Sequence, residues 1–345
     1  MNINKRKQTQ RLLLFFAAII LLIKLIKNEN DNLLMNEISG STMGAITFNV
    51  KYKTKAPIDY ETQIDSILKK FNQSLSTYIP ESEISKLNQS GSLIFENPFF
   101  YPVLITCKEV YSATKGAFDP TIGPLVNAYG FGPNKISKVL DQYIIDSLLQ
   151  FVGFSKINFN SSFITLPKGA YLDLSAVAKG YAVDVIADYL KSKNVKHAMI
   201  EIGGEVRAFG TNERGEAWKI GIQDPLIESE DYQPPFAVVS LDNRSVATSG
   251  NYRNFYRIGD KIYTHIIDPR SGDLGKKKIL SASVFATNCM LADAYATAFM
   301  VLDIETSMAV LKADDHLDAL LVYQGEAGPE YIISDGIKSA TILTK

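Results

Sequence analysis

The chain has few cysteines and few histidines. Only Cys107 and Cys289 occur among its 345 residues, together with three histidines. Two cysteines that each lie in an apolar helical pattern do not make a disulfide framework, and we expect two small buried thiols. Neither residue type is arranged as a zinc site. The fold must therefore depend on a hydrophobic core, which 345 residues can form as one large domain or two closely joined ones.

The chain also lacks an excess of charge of either sign. Its 36 Lys and Arg residues nearly balance 37 Asp and Glu residues, which gives a formal net charge of −1. A chain this close to neutral has no broad field that would attract nucleic acid or an acidic surface. It contains no fixed-period repeat and no low-complexity tract. We therefore expect a globular protein without a nucleic-acid partner.

The N-terminus is a local exception, because basic residues flank an apolar run there. Residues 12–23 are all apolar, and the flanking basic residues are Lys5, Arg6, Lys7, Arg11, Lys24 and Lys27. About a dozen apolar residues behind basic ones are typical of a secretory signal and are short for a spanning helix. Neither an A-x-A cleavage site nor a cysteine follows the run, which argues against a lipoprotein anchor and leaves cleavage open.

These observations predict three segments. Residues 1–27 are expected to be the signal peptide or membrane anchor of an exported protein. Residues 28–39, which are polar and rich in asparagine, are expected to be a linker. Residues 40–345 are expected to form the folded domain.

The order of the predicted elements indicates the fold class. Residues 45–52 alternate like a strand, and residues 60–75 and 99–114 show helical periodicity. From residue 198 onward, strand patterns follow one another closely instead of alternating with helices. This order favours an α+β fold with mixed or antiparallel sheets flanked by helices.

Residues 170–190 predict a strand that runs directly into a helix, with Asp173 and Lys179 at the junction. Asp184, Asp188 and Lys191 recur at helical spacing, so they are expected to form the solvent-exposed face of this helix. Lys179 points to the opposite, packed side. A lysine there, near a helix N-terminus, could hold an anionic group. The alternative is that its side chain extends out to solvent from the first turn.

Residues 289–302 predict a buried helix that is apolar except at two positions. Asp293 and Thr297 are spaced i, i+4, so both project from one face about one turn apart. An ionised carboxylate in such a helix needs a positive partner. A carboxylate and a hydroxyl suit Mg²⁺ better than zinc. The alternative is that Asp293 caps the helix or pairs with an arginine.

Two further side chains stand out by their position in loops or at strand ends. His265 lies on the strand predicted over residues 261–267, next to the Asp268–Pro269 turn, although a lone histidine is more often structural. Tyr78 lies in a loop before a short helix that starts near Pro80, where a tyrosine more often packs than stacks on a ligand.

Several long motifs, in order, resemble those of one family. They are STMG (41–44), STYIPESEIS (76–85), GAFDPTIGPLV (116–126), YLDLSAVAKGYAVD (171–184), GGEVRAFG (203–210), SGNYRNFY (249–256), HIIDPRSG (265–272) and ADAYAT (292–297). The sequence resembles the ApbE-type FAD:protein FMN transferases. Many motifs in one order are far more specific than a single short pattern.

The resemblance implies a single large domain and an exported, Mg²⁺-dependent enzyme on the periplasmic side of a bacterial inner membrane. Such an enzyme cleaves FAD at its pyrophosphate, attaches FMN to a Ser or Thr hydroxyl of an acceptor flavoprotein and releases AMP. The expected acceptor motif is similar to D-G-x-[ST]-G-[AS]-[ST]. An N-terminal anchor would place the enzyme at the membrane.

The resemblance also implies roles for individual residues. The implied FAD contacts are Met43, Tyr78, Ala117, Phe118, Asp119, Asp173, Lys179 and Ile267. The implied metal ligands are Asp293, Thr297 and the backbone carbonyl of Ala176. Some members of the family carry a second acid where this chain has Ala296.

The base that deprotonates the incoming hydroxyl is left open between His265 and Asp173. Two rival functions would use the same residues: an FAD pyrophosphatase that releases FMN and AMP into water, and a non-catalytic FAD-binding protein. A third possibility is self-modification at residues 335–341, whose sequence DGIKSAT is only loosely similar to the acceptor motif, and a C-terminal turn explains it more simply.

Overall fold

The computed structural model describes residues 33–133, 140–227, 234–250, 266–274 and 278–344, together with Phe15 and the backbone of 255–258 and 261–264. No helix within these ranges is both long enough and apolar enough to cross a membrane. Apart from Phe15, the predicted signal or anchor segment lies outside the described residues, and so does His265.

The first half of the chain is mainly helical. Its strands are β1 (Leu34–Thr42), β2 (Ile46–Thr54), β3 (Ser92–Ile94), β4 (Asn158–Phe159) and β5 (Phe163–Thr165). Its α-helices are α1 (Glu61–Leu75), α2 (Glu83–Ser90), α3 (Phe100–Ala113), α4 (Gly123–Ala128), α5 (Gln142–Leu149) and α6 (Ser175–Ser192), and a 3-10 turn covers Phe154–Lys156.

The second half is mainly strands. They are β6 (Ala198–Ile202), β7 (Glu205–Phe209), β8 (Trp218–Ile222), β9 (Ala237–Leu241), β10 (Arg244–Gly250), β11 (Phe255–Ile258), β12 (Lys261–Thr264), β13 (Ile279–Ala286), β14 (Asp318–Gln324), β15 (Pro329–Ile333) and β16 (Thr341–Leu343). The helices are α7 (Cys289–Val301), α8 (Ile304–Ala313) and α9 (Asp335–Lys338).

An eight-stranded sheet forms the centre, in the order β1-β2-β6-β7-β10-β13-β14-β15. Every neighbouring pair in it is antiparallel; Phe48 of β2 lies opposite Ile202 of β6, and Val246 of β10 lies opposite Phe285 of β13. The prediction of an α+β fold with antiparallel sheets flanked by helices is therefore confirmed.

The two faces of this sheet are buried against different layers, because successive side chains of a strand point to opposite faces. Ala247 and Val284 belong to the main core, which includes α6 and α7. Their chain neighbours Val246 and Phe285 belong to a second core shared with the small sheet β8-β9-β16. The helix pair and the small sheet thus lie on opposite sides of the central sheet.

The N-terminal boundary differs from the prediction. Strand β1 starts at Leu34 and pairs along its whole length with β2, Leu34 opposite Thr54. Residues 34–39 therefore belong to the folded domain and not to the predicted linker 28–39. The polar side chains of these residues were interpreted as a linker, but they belong to an edge strand, most of whose side chains face solvent.

Candidate active site

Helices α6 and α7 pack side by side, and their hydrogen bonds fix how they align. The backbone N–H groups of Cys289 and Met290, at the start of α7, donate to the carboxylate of Asp184 in the middle of α6, at 2.9 and 2.8 Å. One turn earlier in α6, the N–H of Gly180 donates to Oδ2 of Asp293, one turn later in α7, at 2.9 Å. The helices are therefore antiparallel.

This alignment brings the predicted metal ligands toward one another. Asp184 of α6 contacts the first residues of α7, and Gly180, about one turn earlier in α6, contacts Asp293, about one turn later in α7. The next step of the same register carries Ala176, at the start of α6, toward the turn that contains Asp293 and Thr297. Gly180 and Asp293, which are 113 positions apart in sequence, thus meet near the N-terminal end of α6.

The absence of a side chain at position 180 permits this close approach. A Cβ atom built on Gly180 would lie 2.7 Å from the carbonyl carbon of Cys289 and 2.8 Å from Cβ of Asp293. Real Cβ atoms do not approach other heavy atoms this closely, so any other residue would force the helices apart. Gly180 is therefore required for the Asp293 carboxylate to reach α6.

Asp293 is almost completely buried, with 3% of its surface exposed. Burial raises the pKa of its carboxyl group, while the charge of Lys179 and the N–H of Gly180 act in the opposite direction. Lys179 is the positive partner that the buried carboxylate was predicted to need. The predicted alternative, that Asp293 caps its helix, is wrong, because the side chain of Asn288 accepts from the N–H of Leu291 and caps α7.

Lys179 does not extend freely to solvent. Its ammonium group lies 2.5 Å from Oε1 of Glu205 on β7, and its side chain is 28% exposed. Lys179 therefore lies between two carboxylates, those of Glu205 and Asp293, near the start of α6. The two carboxylates outweigh its single positive charge, so this partly open place suits an anionic group such as a phosphate when a cation is bound beside it.

Glu205 is a member of this cluster that the sequence analysis did not single out. Its side chain is 1% exposed, and Oε2 has no hydrogen-bond partner within the described part of the chain. Burial, opposed by the charge of Lys179 and assisted by that of Asp293, raises the pKa of Glu205 to about 7. The GGEVRAFG motif contains this residue, but its neighbours in the sequence give no indication that an acid at the start of a strand is buried here.

The cluster fits a divalent cation with oxygen ligands. Asp293 and Glu205 supply carboxylates, Thr297 supplies a hydroxyl, and one buried carboxylate oxygen is unpartnered among the described residues. No three His, Cys, Asp or Glu side chains in the described ranges converge on one point as a complete metal site. Mg²⁺ is typically bound by one or two carboxylates, water and substrate phosphates, so this sparse set of ligands suits it.

Thr297 lies on the same face of α7 as Asp293 and is partly buried. Its hydroxyl lies 3.4 Å from the hydroxyl of Ser249 at the end of β10. Ser249 begins the SGNYRNFY motif, so a second motif of the sequence reaches the same place.

Asp173 lies at the entrance to α6 in a segment that several hydrogen bonds fix. Its N–H donates to the carbonyl of Pro120 at 2.7 Å, and its Oδ1 accepts from the N–H and hydroxyl of Ser175. The side chain of Asn88 both accepts from the N–H of Leu172 and donates to its carbonyl. The Asp173 carboxylate is therefore held in one orientation beside the 117–123 loop.

Ala117, Phe118 and Asp119 are all buried in that loop. The Asp119 carboxylate accepts from the N–H and hydroxyl of Thr121 and from the N–H of Phe154, while burial raises its pKa. Its side chain thus stabilises the loop. An FAD contact at these three positions would have to come mainly from the backbone.

Tyr78 is 60% exposed, and its hydroxyl donates to the carbonyl of Phe131 at 3.4 Å. Burial and the nearby charge of Asp173 raise its pKa, so the two predicted FAD contacts lie near each other. Beside them is a cavity of about 180 Å³, whose lining includes Thr77, Asn88 and Tyr171. Aromatic and amide groups of this kind can bind a flat heterocycle.

The remaining predicted contacts lie on other elements. Met43 adopts a left-handed backbone conformation in the turn between β1 and β2. Three residues later, Ile46 packs near Gly203 and the Lys179 side chain, so this turn reaches the Lys179 cluster. Ile267 is buried in a separate cluster with Leu125. His265 lies outside the described residues, and its role stays a prediction.

One prediction on α6 is wrong. Asp184 was expected on the exposed face, but only 5% of its surface is accessible, and Arg207 donates to it at 2.7 Å. Asp188 and Lys191 are exposed as expected. Helical spacing identified the face correctly, but the start of α7 and Arg207 cover part of it.

Comparison with known proteins adds independent evidence. Residues 43–321 match the ApbE family. A FAD:protein FMN transferase of Vibrio cholerae serotype O1 is 36% identical over 310 residues, which cover 86% of this chain and 90% of that protein. A FAD:protein FMN transferase of Escherichia coli K12 is 30% identical over 308 residues, which cover 84% and 85% of the two chains.

Solved structures agree with the sequence matches. The flavin transferase ApbE from Vibrio cholerae has a TM-score of 0.79 at 33% identity, and the match covers 89% of this chain and 99% of that one. The flavinyl transferase ApbE of Pseudomonas stutzeri, in its apo form, also has a TM-score of 0.79, at 27% identity and 89% and 97% coverage. The predicted single large domain is confirmed by these matches. With most of its length accounted for by the family pattern and by relatives of similar length, this chain belongs to the ApbE family.

Proposed function

We propose that this chain is a Mg²⁺-dependent FAD:protein FMN transferase. It cleaves the pyrophosphate of FAD, attaches FMN to a Ser or Thr hydroxyl of an acceptor flavoprotein and releases AMP. The observation that carries the proposal is the buried cluster of Asp293, Glu205 and Lys179 at the start of α6. The names of the curated relatives support flavin transfer as its purpose.

The cation would be held by the side chains of Asp293 and Thr297 and by the backbone carbonyl of Ala176. When bound, Mg²⁺ supplies neutralisation of the negative charge on the pyrophosphate oxygens. The unpartnered oxygen of Glu205 and its closeness to Asp293 support a cation here, because two buried carboxylates with one ammonium carry an excess negative charge.

The chain's own groups have separate tasks. Lys179, at the N-terminal end of α6, binds a phosphate and helps to orient it. Tyr78 and the adjoining cavity contact a ring of the nucleotide. In the transfer, the acceptor oxygen forms a bond to the FMN phosphorus, the pyrophosphate P–O bond breaks, and AMP leaves. Asp173 or His265 takes the proton of the acceptor hydroxyl.

The proposal includes a place in the cell. Residues 1–27 would export the enzyme and, if uncleaved, hold it at the periplasmic side of a bacterial inner membrane. The acceptor would carry a motif similar to D-G-x-[ST]-G-[AS]-[ST]. Its hydroxyl must reach the open side of the cluster, where Lys179 is partly exposed.

Mass spectrometry of a single reaction tests the proposal against its rivals. The full chain is incubated with FAD, Mg²⁺ and a peptide that carries the acceptor motif, and both peptide and nucleotides are weighed. We expect the peptide to gain one FMN group and an equal amount of AMP to appear. Free FMN and AMP with an unmodified peptide would indicate a pyrophosphatase, and intact FAD would indicate a binding protein.

A chelator and three substitutions identify the groups involved. EDTA and the substitution Asp293→Ala should each abolish transfer. The pH–rate profiles of Asp173→Asn and His265→Gln are then compared with that of the unmodified chain. The substitution that removes the acidic limb, where protonation of the base lowers the rate, identifies the base, and a profile unchanged in a variant excludes that residue.

A further inference from the structure

The family resemblance implies no role for Asp184, the last residue of the YLDLSAVAKGYAVD motif, yet its carboxylate joins α6 to α7 by two hydrogen bonds. Oδ1 accepts from the N–H of Cys289 at 2.9 Å, Oδ2 accepts from the N–H of Met290 at 2.8 Å, and Arg207 donates to Oδ1 at 2.7 Å. All of these contacts are buried or nearly so. Arg207 also reaches the exposed carboxylate of Asp188, at 3.3 Å.

A carboxylate fits this place because the first N–H groups of a helix have no partner within that helix. Asn288 satisfies the N–H of Leu291, and Asp184 satisfies those of Cys289 and Met290. The positive end of the helix dipole favours the negative charge further. Asp184 therefore completes the cap of α7 from a neighbouring helix.

The two helices are thus tied together in both directions. Asp184 of α6 holds the first turn of α7, and Asp293 of α7 holds Gly180 of α6. Because these hydrogen bonds lie one turn apart on each helix, α7 can neither slide along α6 nor rotate against it without breaking one of them. The cation ligands are divided between these helices, so their separation depends on that alignment.

We propose that Asp184 is a positioning residue for the cation site: by holding the start of α7 on α6, it sets the distance between the Ala176 carbonyl and the side chains of Asp293 and Thr297. The inference rests on the proposed cation site. It predicts that loss of the Asp184 carboxylate weakens cation binding even though Asp184 itself touches no cation.

The test measures cation binding directly and not enzyme activity. Mn²⁺ is titrated into the full-length, nucleotide-free chain, and free Mn²⁺ is followed by electron paramagnetic resonance. Mn²⁺ suits the same oxygen ligands as Mg²⁺. Asp184→Asn keeps the size of the side chain but turns an NH₂ group toward one of the two backbone donors. We expect its dissociation constant for Mn²⁺ to rise about 10-fold or more, the range seen when outer-shell partners of metal ligands are lost.

Asp318→Asn is the matched control. Asp318 is also buried, pairs with Arg244 at 2.7 Å and accepts from the backbone N–H of Gly336, but it lies at the start of β14. We expect both variants to lower the melting temperature and only Asp184→Asn to weaken Mn²⁺ binding. Equal Mn²⁺ affinity in Asp184→Asn and the unmodified chain would overturn the positioning role.

A milder variant covers the case in which Asp184→Asn does not fold. Asp184→Glu keeps the carboxylate but lengthens the side chain by one methylene, which displaces the start of α7 from α6. We expect a rise in the dissociation constant of about 10-fold, and an unchanged constant would then refute the inference. Asp293→Asn separates the two proposals. If it binds Mn²⁺ as well as the unmodified chain does, the cation site itself is wrong and the inference falls with it.

Discussion

Replacing Gly180 with alanine should damage activity far more than stability. The new Cβ would lie 2.7 Å from the carbonyl carbon of Cys289, whereas ordinary contacts begin at 3.4 Å. The second close atom is Cβ of Asp293, at 2.8 Å. Neither atom belongs to the far end of a flexible side chain, so neither can move away without its helix. The helices α6 and α7 must therefore separate by at least about 0.7 Å, the difference between these distances.

The effect on stability should be small because two contributions oppose each other. Overpacking costs about 1–3 kcal/mol, and alanine gains about 1 kcal/mol over glycine inside a helix. The net loss of about 0–2 kcal/mol corresponds to a fall in melting temperature of a few degrees for a chain of this size. Circular dichroism during a thermal scan measures it.

The effect on the cation site should be large. Metal ligands are held within about 0.2 Å of their ideal distances, and a misplacement near 1 Å can reduce a rate about 100-fold. We therefore expect the kcat/KM for FMN transfer to fall about 100-fold, equivalent to about 2.7 kcal/mol. Mn²⁺ binding should weaken in parallel.

Gly336→Ala provides the comparison. There a Cβ would lie 2.7 Å from Cγ of Asp318, which is a similar clash far from α6 and α7. That variant should lose stability and keep its kcat/KM. If Gly180→Ala transfers FMN within 3-fold of the unmodified rate, the reasoning that ties helix separation to the site is refuted.

Two further predictions concern charges. Glu205→Gln removes the carboxylate that pairs with the Lys179 ammonium, which keeps Asp293 as a second carboxylate neighbour. Urea unfolding should therefore show a loss of about 1–2 kcal/mol, and equal unfolding midpoints for Glu205→Gln and the unmodified chain would contradict the pairing. Burial, then Lys53 and Lys196, lower the pKa of His197, whose Nδ1 accepts from the N–H of Thr211 at 2.8 Å. The folded chain therefore resists protonation of His197, and this stability is complete above about pH 6.5 and is lost as pH falls through the lowered pKa. His197→Asn, which keeps an acceptor but does not titrate, should flatten the acid side of the stability–pH curve, and parallel curves would exclude His197 as its cause.

The sequence was sufficient where a property depends on one element alone. Helix α7 is apolar on all sides except at Asp293 and Thr297, which predicted its burial, and the spacing of these two residues placed both on one face. The close succession of strand patterns predicted the α+β class. These inferences hold because helix and strand periods are local, and tertiary packing changed neither in these elements.

The sequence was insufficient where a side chain meets another element. Asp184 has the spacing of an exposed residue, yet the N–H groups of α7, 105 positions later, bury it. Glu205 has no local feature that distinguishes it, and only its contact with Lys179 and its unpartnered oxygen identify it. The polar composition of residues 34–39 concealed an edge strand.

The amino-acid sequence by itself determined the class of fold, the family and the two helices that carry the site, because the order of residues sets each element's faces and motifs. Only the tertiary structure decided that Gly180 lies against Cys289, that Lys179 lies between two carboxylates, and that Asp184 caps α7. Periodicity describes the orientation of a residue around its own helix axis. It contains no information on which distant element packs there, and that depends on how the whole chain buries its apolar surface.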